Sequence, residues 1–221
     1  MLTVHHLNNS RSQRVLWLLE ELGVPYELVK YQRDPKTDLA PPELQKIHPL
    51  GKSPVVTDGD DTVAESGAIL EYIADKYGNG KLVPAKGTPD HLRCRYFMHY
   101  AEGSLMPFLL MKLVFSRVRA AKVPFFIKPI TRKVADGVDN GFITPNLERH
   151  VAFLDAELAK SPWFAGAELS IADIQMLYPM QAIAARLARS SPRFAEWVTR
   201  VEERSAYKRA LERGGPSEMM A

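Results

Sequence analysis

The chain has 221 residues, enough for one large domain or two small ones, and its net charge of +3 is too small to point to a nucleic-acid partner. One cysteine, Cys94, excludes an intrachain disulfide and any CxxC redox or zinc motif. No uncharged apolar run approaches the roughly 20 residues that span a bilayer, since the densest, around 105–115, holds Pro107 and Lys112, and polar residues interrupt the first apolar stretch where a signal peptide would need continuity; the expectation is a soluble, cytoplasmic protein without a membrane partner.

Leu2, Val4 and Leu7 read as a short buried strand. Val15, Leu18, Leu19 and Leu22 then recur at i, i+3, i+4 and i+7, which predicts a helix that stops at Gly23-Val24-Pro25. A second strand is expected over 26–31, and a loop over 33–38, which contains Pro35. Pro41-Pro42-Glu43-Leu44 starts a short helix that His48-Pro49-Leu50-Gly51-Lys52 breaks. Ser53-Pro54 leads into a strand at Val55-Val56-Thr57, Asp58-Gly59 turns, and Thr62-Val63-Ala64 pairs back as a hairpin. Glu65-Ser66 reads as the cap of an amphipathic helix with Ile69, Leu70, Ile73 and Tyr77 on one face, ended by Gly78-Asn79-Gly80. Strands alternating with helices imply an α/β layer whose first two strands run parallel.

The composition changes at 82–89, where two prolines and a glycine mark a linker. Beyond it every segment reads as helix. A long apolar helix from His91 to Arg119 is expected to bend at Pro107, and Pro124 and Pro129 to interrupt the next segment. Leu147, Val151, Leu154 and Leu158 form a helical stripe. At Leu169-Ser170-Ile171-Ala172-Asp173-Ile174, Ser170 caps a helix, Asp173 reaches back to it, and Leu169 staples to Ile174. The helix that follows is apolar nearly all round to Leu187, which places it at the centre of the helical half; Trp197 and Val201 mark another, and the tail after Gly214 is expected to fray. The domains are therefore 1–81, a linker at 82–89, and a helical domain from 90 to 221.

The segment Leu7-Asn8-Asn9-Ser10-Arg11-Ser12-Gln13-Arg14 joins the first strand to the first helix. Its hydroxyls and backbone N–H groups lie beside a positive helix end, which suits an anion such as a thiolate. The same residues also serve as ordinary caps, and Ser12 reads as the N-cap. His5 and His6 point to opposite faces of a strand and cannot share a metal; no ligand spacing, GxSxG, P-loop or GxGxxG motif is present.

Three motifs, in this order and over essentially the whole chain, resemble the glutathione S-transferase family. They are Asn9-Ser10-Arg11-Ser12-Gln13-Arg14 with Leu16-Trp17-Leu18-Leu19-Glu20-Glu21-Leu22-Gly23 behind it, Gly51-Lys52-Ser53-Pro54-Val55-Val56 followed by Glu65-Ser66-Gly67-Ala68-Ile69-Leu70, and Ser170-Ile171-Ala172-Asp173. The opening looks most like bacterial and fungal members with a serine in the first loop. The resemblance implies a thioredoxin-like N-terminal domain and an all-α C-terminal domain, glutathione as co-substrate, no metal, and a homodimer. It implies that Pro54 is cis and that the backbone of Ser53, where the family often has an aliphatic residue, meets the cysteinyl part of glutathione. Ser66 and Glu65 would meet the γ-glutamyl carboxylate and ammonium, and Lys52 the glycyl carboxylate. Ser10 falls at the position of the thiolate-stabilising serine, with Ser12 and Asn9 as alternatives. Met106 and Leu109 would line an apolar electrophile pocket.

The activity implied is detoxifying attack of the glutathione thiolate on an apolar electrophile, or reduction of an organic hydroperoxide. The loop has no cysteine, which argues against the glutaredoxin-like members, and no tyrosine. The seven bases Lys112, Arg117, Arg119, Lys122, Lys128, Arg132 and Lys133 lie in a stretch free of acids, a solvated face unless it borders the cleft, where it would steer acidic substrates. The competing function is a non-catalytic binding or regulatory protein on the same scaffold.

Overall fold

The computed structural model describes residues 1–186 and 191–215. The first part runs β1 (Leu2–Leu7), α1 (Ser12–Leu22), β2 (Glu27–Tyr31), α2 (Glu43–Ile47), β3 (Val55–Asp58), β4 (Asp61–Ala64) and α3 (Ser66–Tyr77). The sheet order is β2-β1-β3-β4. β1 and β2 are parallel, with His6 opposite Lys30, and β3 pairs antiparallel with both β1 and β4. Gly23 closes α1 in the left-handed conformation that glycine adopts without a Cβ penalty.

No regular element lies between Tyr77 and Pro89, and only helices follow: α4 (Pro89–Tyr100), α5 (Met106–Arg119), α6 (Lys128–Val138), α7 (Thr144–Leu158), α8 (Ile171–Arg186), α9 (Pro192–Glu202) and α10 (Ser205–Gly214). Among the described residues no helix is long and apolar enough to cross a membrane. The position Leu187 and the tail at 216–221 lie outside the described residues.

Instead of a simple bend at Pro107, α4 and α5 are joined by a wider π-helical turn over Ala101–Leu105, in which the Met106 N–H reaches back five residues to the Ala101 carbonyl. A second π turn, Asp139–Ile143, joins α6 to α7 just before Pro145. Each proline stands four residues after a glycine, Gly103 or Gly141. A proline ring clashes with the carbonyl four residues back and has no N–H to give it. Widening the turn relieves both problems without ending the helix. Pro129 does not interrupt its segment: it occupies the first turn of α6, where a missing N–H costs nothing.

The core is organised around α1. Val15, Leu16, Trp17, Leu18 and Leu19 are all completely buried. β1 and α3 cover one side, and α8 and α10 cover the other. The helix α10, which the sequence did not reveal, lies along α1, with Trp17 edge-on to Tyr207 at 5.4 Å. Arg204 pairs with Glu21 at 2.8 Å and Arg209 with Glu20 at 2.8 Å. Its apolar stripe is Ala206, Tyr207 and Ala210 with Leu211 at the edge, too thin to stand out in a segment dominated by charge.

At the start of α8, Asp173 is fully buried and accepts from the N–H and hydroxyl of Ser170, at 3.0 and 2.9 Å, and from the N–H of Phe164, at 2.8 Å. It ties the 163–166 turn to the helix start. We expect Asp173→Ala to lower stability by about 2–4 kcal/mol in a denaturant titration, because it strands two buried backbone donors, and to leave any ligand affinity of the folded fraction unchanged.

Candidate functional site

A cleft of about 240 Å³ opens between the starts of α1 and α3, the segment before β3 and the π turn that follows α4. Lys52, Ser53, Pro54, Ala64, Glu65 and Ser66 form one wall, and Arg11 and Glu102 the other, with His48 and Leu50 at the rim. The Ser53-Pro54 peptide is cis. Glu65 occupies the N-cap of α3 with φ 70° and ψ 123°, a backbone region that costs a non-glycine residue energy and recurs at binding sites. Its carbonyl accepts the first helical bond, from Ile69 N–H at 2.9 Å. Contrary to the cap expected there, the Glu65 side chain makes no capping hydrogen bond; it borders the cleft. Ser66, at the first position of α3, borders it too.

Ser10 lies behind Ser53, its Oγ 3.5 Å from Ser53 Oγ, and is 7% exposed. Ser53 Oγ donates to the His5 carbonyl at 2.9 Å and accepts from Leu7 N–H at 3.2 Å, which stitches β1 to the segment before β3. Ser12 is not the N-cap of α1; Arg11 is, and Ser12 is the first helical residue. The Ser12 hydroxyl is drawn inward, to His6 Nδ1 at 2.8 Å and the Leu7 carbonyl at 3.3 Å, and has no exposed surface. Its Oγ is 2.7 Å from Ser10 Oγ, which also accepts from Ser12 N–H at 3.2 Å. His6 Nε2 in turn meets the Gly214 carbonyl at 3.0 Å. Burial lowers the His6 pKa, with Lys30 adding to the effect and the Gly214 carbonyl opposing it, so the ring is neutral at rest. Asn9 has a left-handed φ of 51°, and Arg33 braces that turn by donating to the carbonyls of Asn8 and Asn9, both at 3.2 Å.

Sequence reasoning missed Arg14 and Glu102. Arg14 is 1% exposed on its side chain, and its Nη1 meets Glu102 Oε1 at 2.6 Å; Arg11 Nε meets the same oxygen at 2.9 Å. The Tyr178 ring lies 4.9 Å from the Arg11 guanidinium and 5.6 Å from that of Arg14. Burial lowers Arg14 to about 10 against the pull of Glu102, so it stays charged at neutral pH. Burial pushes the Glu102 carboxyl up, but Arg14 and Arg11 outweigh it and hold the group below its ordinary range. The available signal was an arginine set directly against the apolar run that begins at Val15.

Met106 and Leu109, expected to line the electrophile pocket, lie in the core cluster at 6% and 0% exposure and do not border this cleft. The helical spacing placed them on the inner face of α5; its outer face shows Leu110 and Val114, 55% and 47% exposed. Three of the seven bases of the basic segment pair with acids. Lys112 meets Asp139 at 2.7 Å, Arg119 pairs with Asp136 and Asp139, and Arg117 reaches Asp38 at 3.3 Å. Among the described residues no group of three or more His, Cys, Asp or Glu is placed to hold a metal.

Comparison with known proteins gives a consistent picture. Residues 1–75 match the family model for the glutathione S-transferase N-terminal domain, and residues 120–205 that for its C-terminal domain. Glutathione S-transferase 3 of Schizosaccharomyces pombe is 35% identical over 96% of this chain and 88% of its own. Glutathione S-transferase 1 of Saccharomyces cerevisiae is 32% identical over 96% and 95%. Among solved structures, a glutathione S-transferase from Actinobacillus pleuropneumoniae superposes with a TM-score of 0.79 at 28% identity, over 99% of this chain and 95% of that one.

The Arg14–Glu102 pair joins the two halves beneath the cleft. Removing one partner of a buried pair leaves the other charge uncompensated. We expect Glu102→Ala to cost about 3 kcal/mol in a thermal or denaturant melt, the low end for a buried pair, because a third of the Glu102 side chain, 33%, remains in water.

Proposed function

This chain belongs to the glutathione S-transferase family, and from that premise we propose that it is an enzyme which binds glutathione in the cleft and directs its thiolate at an apolar electrophile. The observation that carries this reading is convergence. Lys52, Ser53, Pro54, Glu65 and Ser66, which are separated in sequence by the whole β3–β4 hairpin, border one cleft, and the Ser10 hydroxyl lies directly behind it. The cleft offers Arg11 and Lys52 against Glu65 and Glu102. Glutathione carries two carboxylates and one ammonium, so both signs of charge find partners. In this reading the γ-glutamyl carboxylate takes the Ser66 hydroxyl and the N–H groups at the start of α3, with Glu65 on the ammonium. Lys52 takes the glycyl carboxylate, and the Ser53 backbone aligns the cysteinyl unit so that its sulfur meets Ser10.

A free thiol has a pKa near ~8.5, so most of it is unreactive at neutral pH. A hydroxyl donated to the sulfur, beside the positive end of α1, favours the thiolate. The electrophile is assigned to the outer face of α5 at Leu110 and Val114, the face from which Arg117 reaches across to Asp38. An apolar conjugation substrate or an organic hydroperoxide suits that surface. A homodimer in the cytoplasm, acting in detoxification, completes the proposal. The presence of both the serine hydroxyl and the Glu65-Ser66 element favours turnover over a purely binding role.

The test is titration of bound glutathione by thiolate absorbance in the wild type and in Ser10→Ala. The wild type is expected to lower the thiol pKa by about 1–2 units, equivalent to about 1.4–2.7 kcal/mol, and Ser10→Ala to return most of that shift. A lowered pKa that ignores the substitution moves the role to Ser12 or Asn9. Absence of glutathione binding overturns the enzyme reading.

A further inference from the structure

We propose that His6 is the acceptor of the proton that glutathione loses, receiving it through the hydroxyls of Ser10 and Ser12. The inference rests on the reading that Ser10 faces the glutathione sulfur. Its own support is the direction of each hydrogen bond. The Gly214 carbonyl can only accept, so His6 Nε2, 3.0 Å away, carries the ring hydrogen. A neutral ring then has a lone pair on Nδ1, and the Ser12 hydroxyl, 2.8 Å away, donates to it. With its hydrogen committed, Ser12 Oγ accepts from Ser10 at 2.7 Å. At rest, therefore, every hydroxyl hydrogen in the chain points away from the cleft and towards His6.

Forming the thiolate reverses the chain. The thiol S–H bond breaks and its proton joins Ser10 Oγ; the Ser10 hydrogen passes to Ser12 Oγ, and the Ser12 hydrogen to His6 Nδ1. No other reactant is needed and no atom is lost. The products are a thiolate and an imidazolium, with Ser10 now donating to sulfur, Ser12 to Ser10, and both ring nitrogens to their partners. A fixed Ser10 donor is thus a consequence of the transfer rather than a competitor for it.

The surroundings are arranged for this. The Gly214 carbonyl stabilises the imidazolium, and Lys30, opposite His6 on β2, opposes it. On the elements packed here, Arg14 turns to Glu102, Arg209 to Glu20, Arg213 to Glu20 and the Tyr26 carbonyl, and His5 to Tyr31 and Thr57; Lys208 on α10 is exposed. Burial keeps the ring neutral and able to accept until the sulfur supplies a negative charge. The dock for Nε2 depends on a glycine. A Cβ at Gly214 would stand 2.5 Å from Gln13 Oε1, 2.7 Å from Leu16 Cδ1 and 3.2 Å from His6 Cε1. A larger residue there would have to displace these side chains, the His6 ring among them.

The experiment is proton counting. Glutathione is added to the unbuffered wild-type protein near neutral pH, thiolate formation is followed by absorbance, and released protons by an indicator dye. S-methylglutathione, which has no thiol proton, supplies the correction for other groups. Wild type is expected to form thiolate while releasing well under one proton per thiolate. His6→Asn keeps an acceptor for the Ser12 hydroxyl but has no basic nitrogen; it is expected to release a full proton for each thiolate formed and to show a raised thiol pKa. Full proton release by the wild type overturns the proposal, whatever the variant does. Glutathione bound by the wild type without thiolate overturns the reading of Ser10 beneath it, and the two failures are told apart by the absorbance alone.

Discussion

Five consecutive residues of α1, from Val15 to Leu19, have no exposure at all. A helix that is apolar on every side is stable only if something covers every side. The sheet and α3 cover part of it, and α8 and α10, from the far end of the chain, cover the rest. The N-terminal α/β layer therefore cannot bury its own first helix, and the thioredoxin-like unit and the helical unit share a core. Polar ties secure the join at the helix ends, where Arg14 meets Glu102 and Glu21 meets Arg204.

That burial dictates the polar chemistry at the front of the helix. The loop from β1 to α1 is pressed between the sheet and the helical half, so its hydroxyls are largely cut off from water. A buried polar group without a partner is costly. Ser10, Ser12 and His6 consequently satisfy one another in sequence, and the Gly214 carbonyl at the end of α10 closes the series, while Ser53 is satisfied by the His5 carbonyl and the Leu7 N–H. The strain at Glu65 and the left-handed turn at Asn9 lie at either edge of the same arrangement. What holds the site in shape is thus the same packing that buries α1.

Much of this was legible in the chain. Alternation marked β1, the i, i+3, i+4 spacing marked α1, Gly23 marked its end, and Glu65-Ser66 marked the start of α3. These signals are local and each has its own backbone cause. What was not legible depends on partners distant in sequence. Ser12 looks like an N-cap until His6 pulls its hydroxyl inward. α10 looks too polar to pack until α1 is known to need a lid. Met106 and Leu109 share a face by their spacing, but spacing does not say what that face packs against, and here it is the core. Arg14 stands directly against the apolar run, but its own segment does not name the counter-charge, which lies beyond α4 at Glu102.

The two π turns show how the helical half supplies that counter-charge. A Gly-x-x-x-Pro spacing obliges each long helix to widen by one residue, at Ala101–Leu105 and Asp139–Ile143. Such turns hold their hydrogen bonds less well than an α-helix, and they recur where function repays the loss. Each one carries an acidic residue that meets bases from elsewhere: Glu102 takes Arg11 and Arg14, and Asp139 takes Lys112 and Arg119. The first pairing forms a wall of the cleft; the second fixes α5 against α6 and α7, and so fixes the outer face that carries Leu110 and Val114. Of these two departures from regular geometry, the first supplies Glu102 to the cleft and the second positions α5.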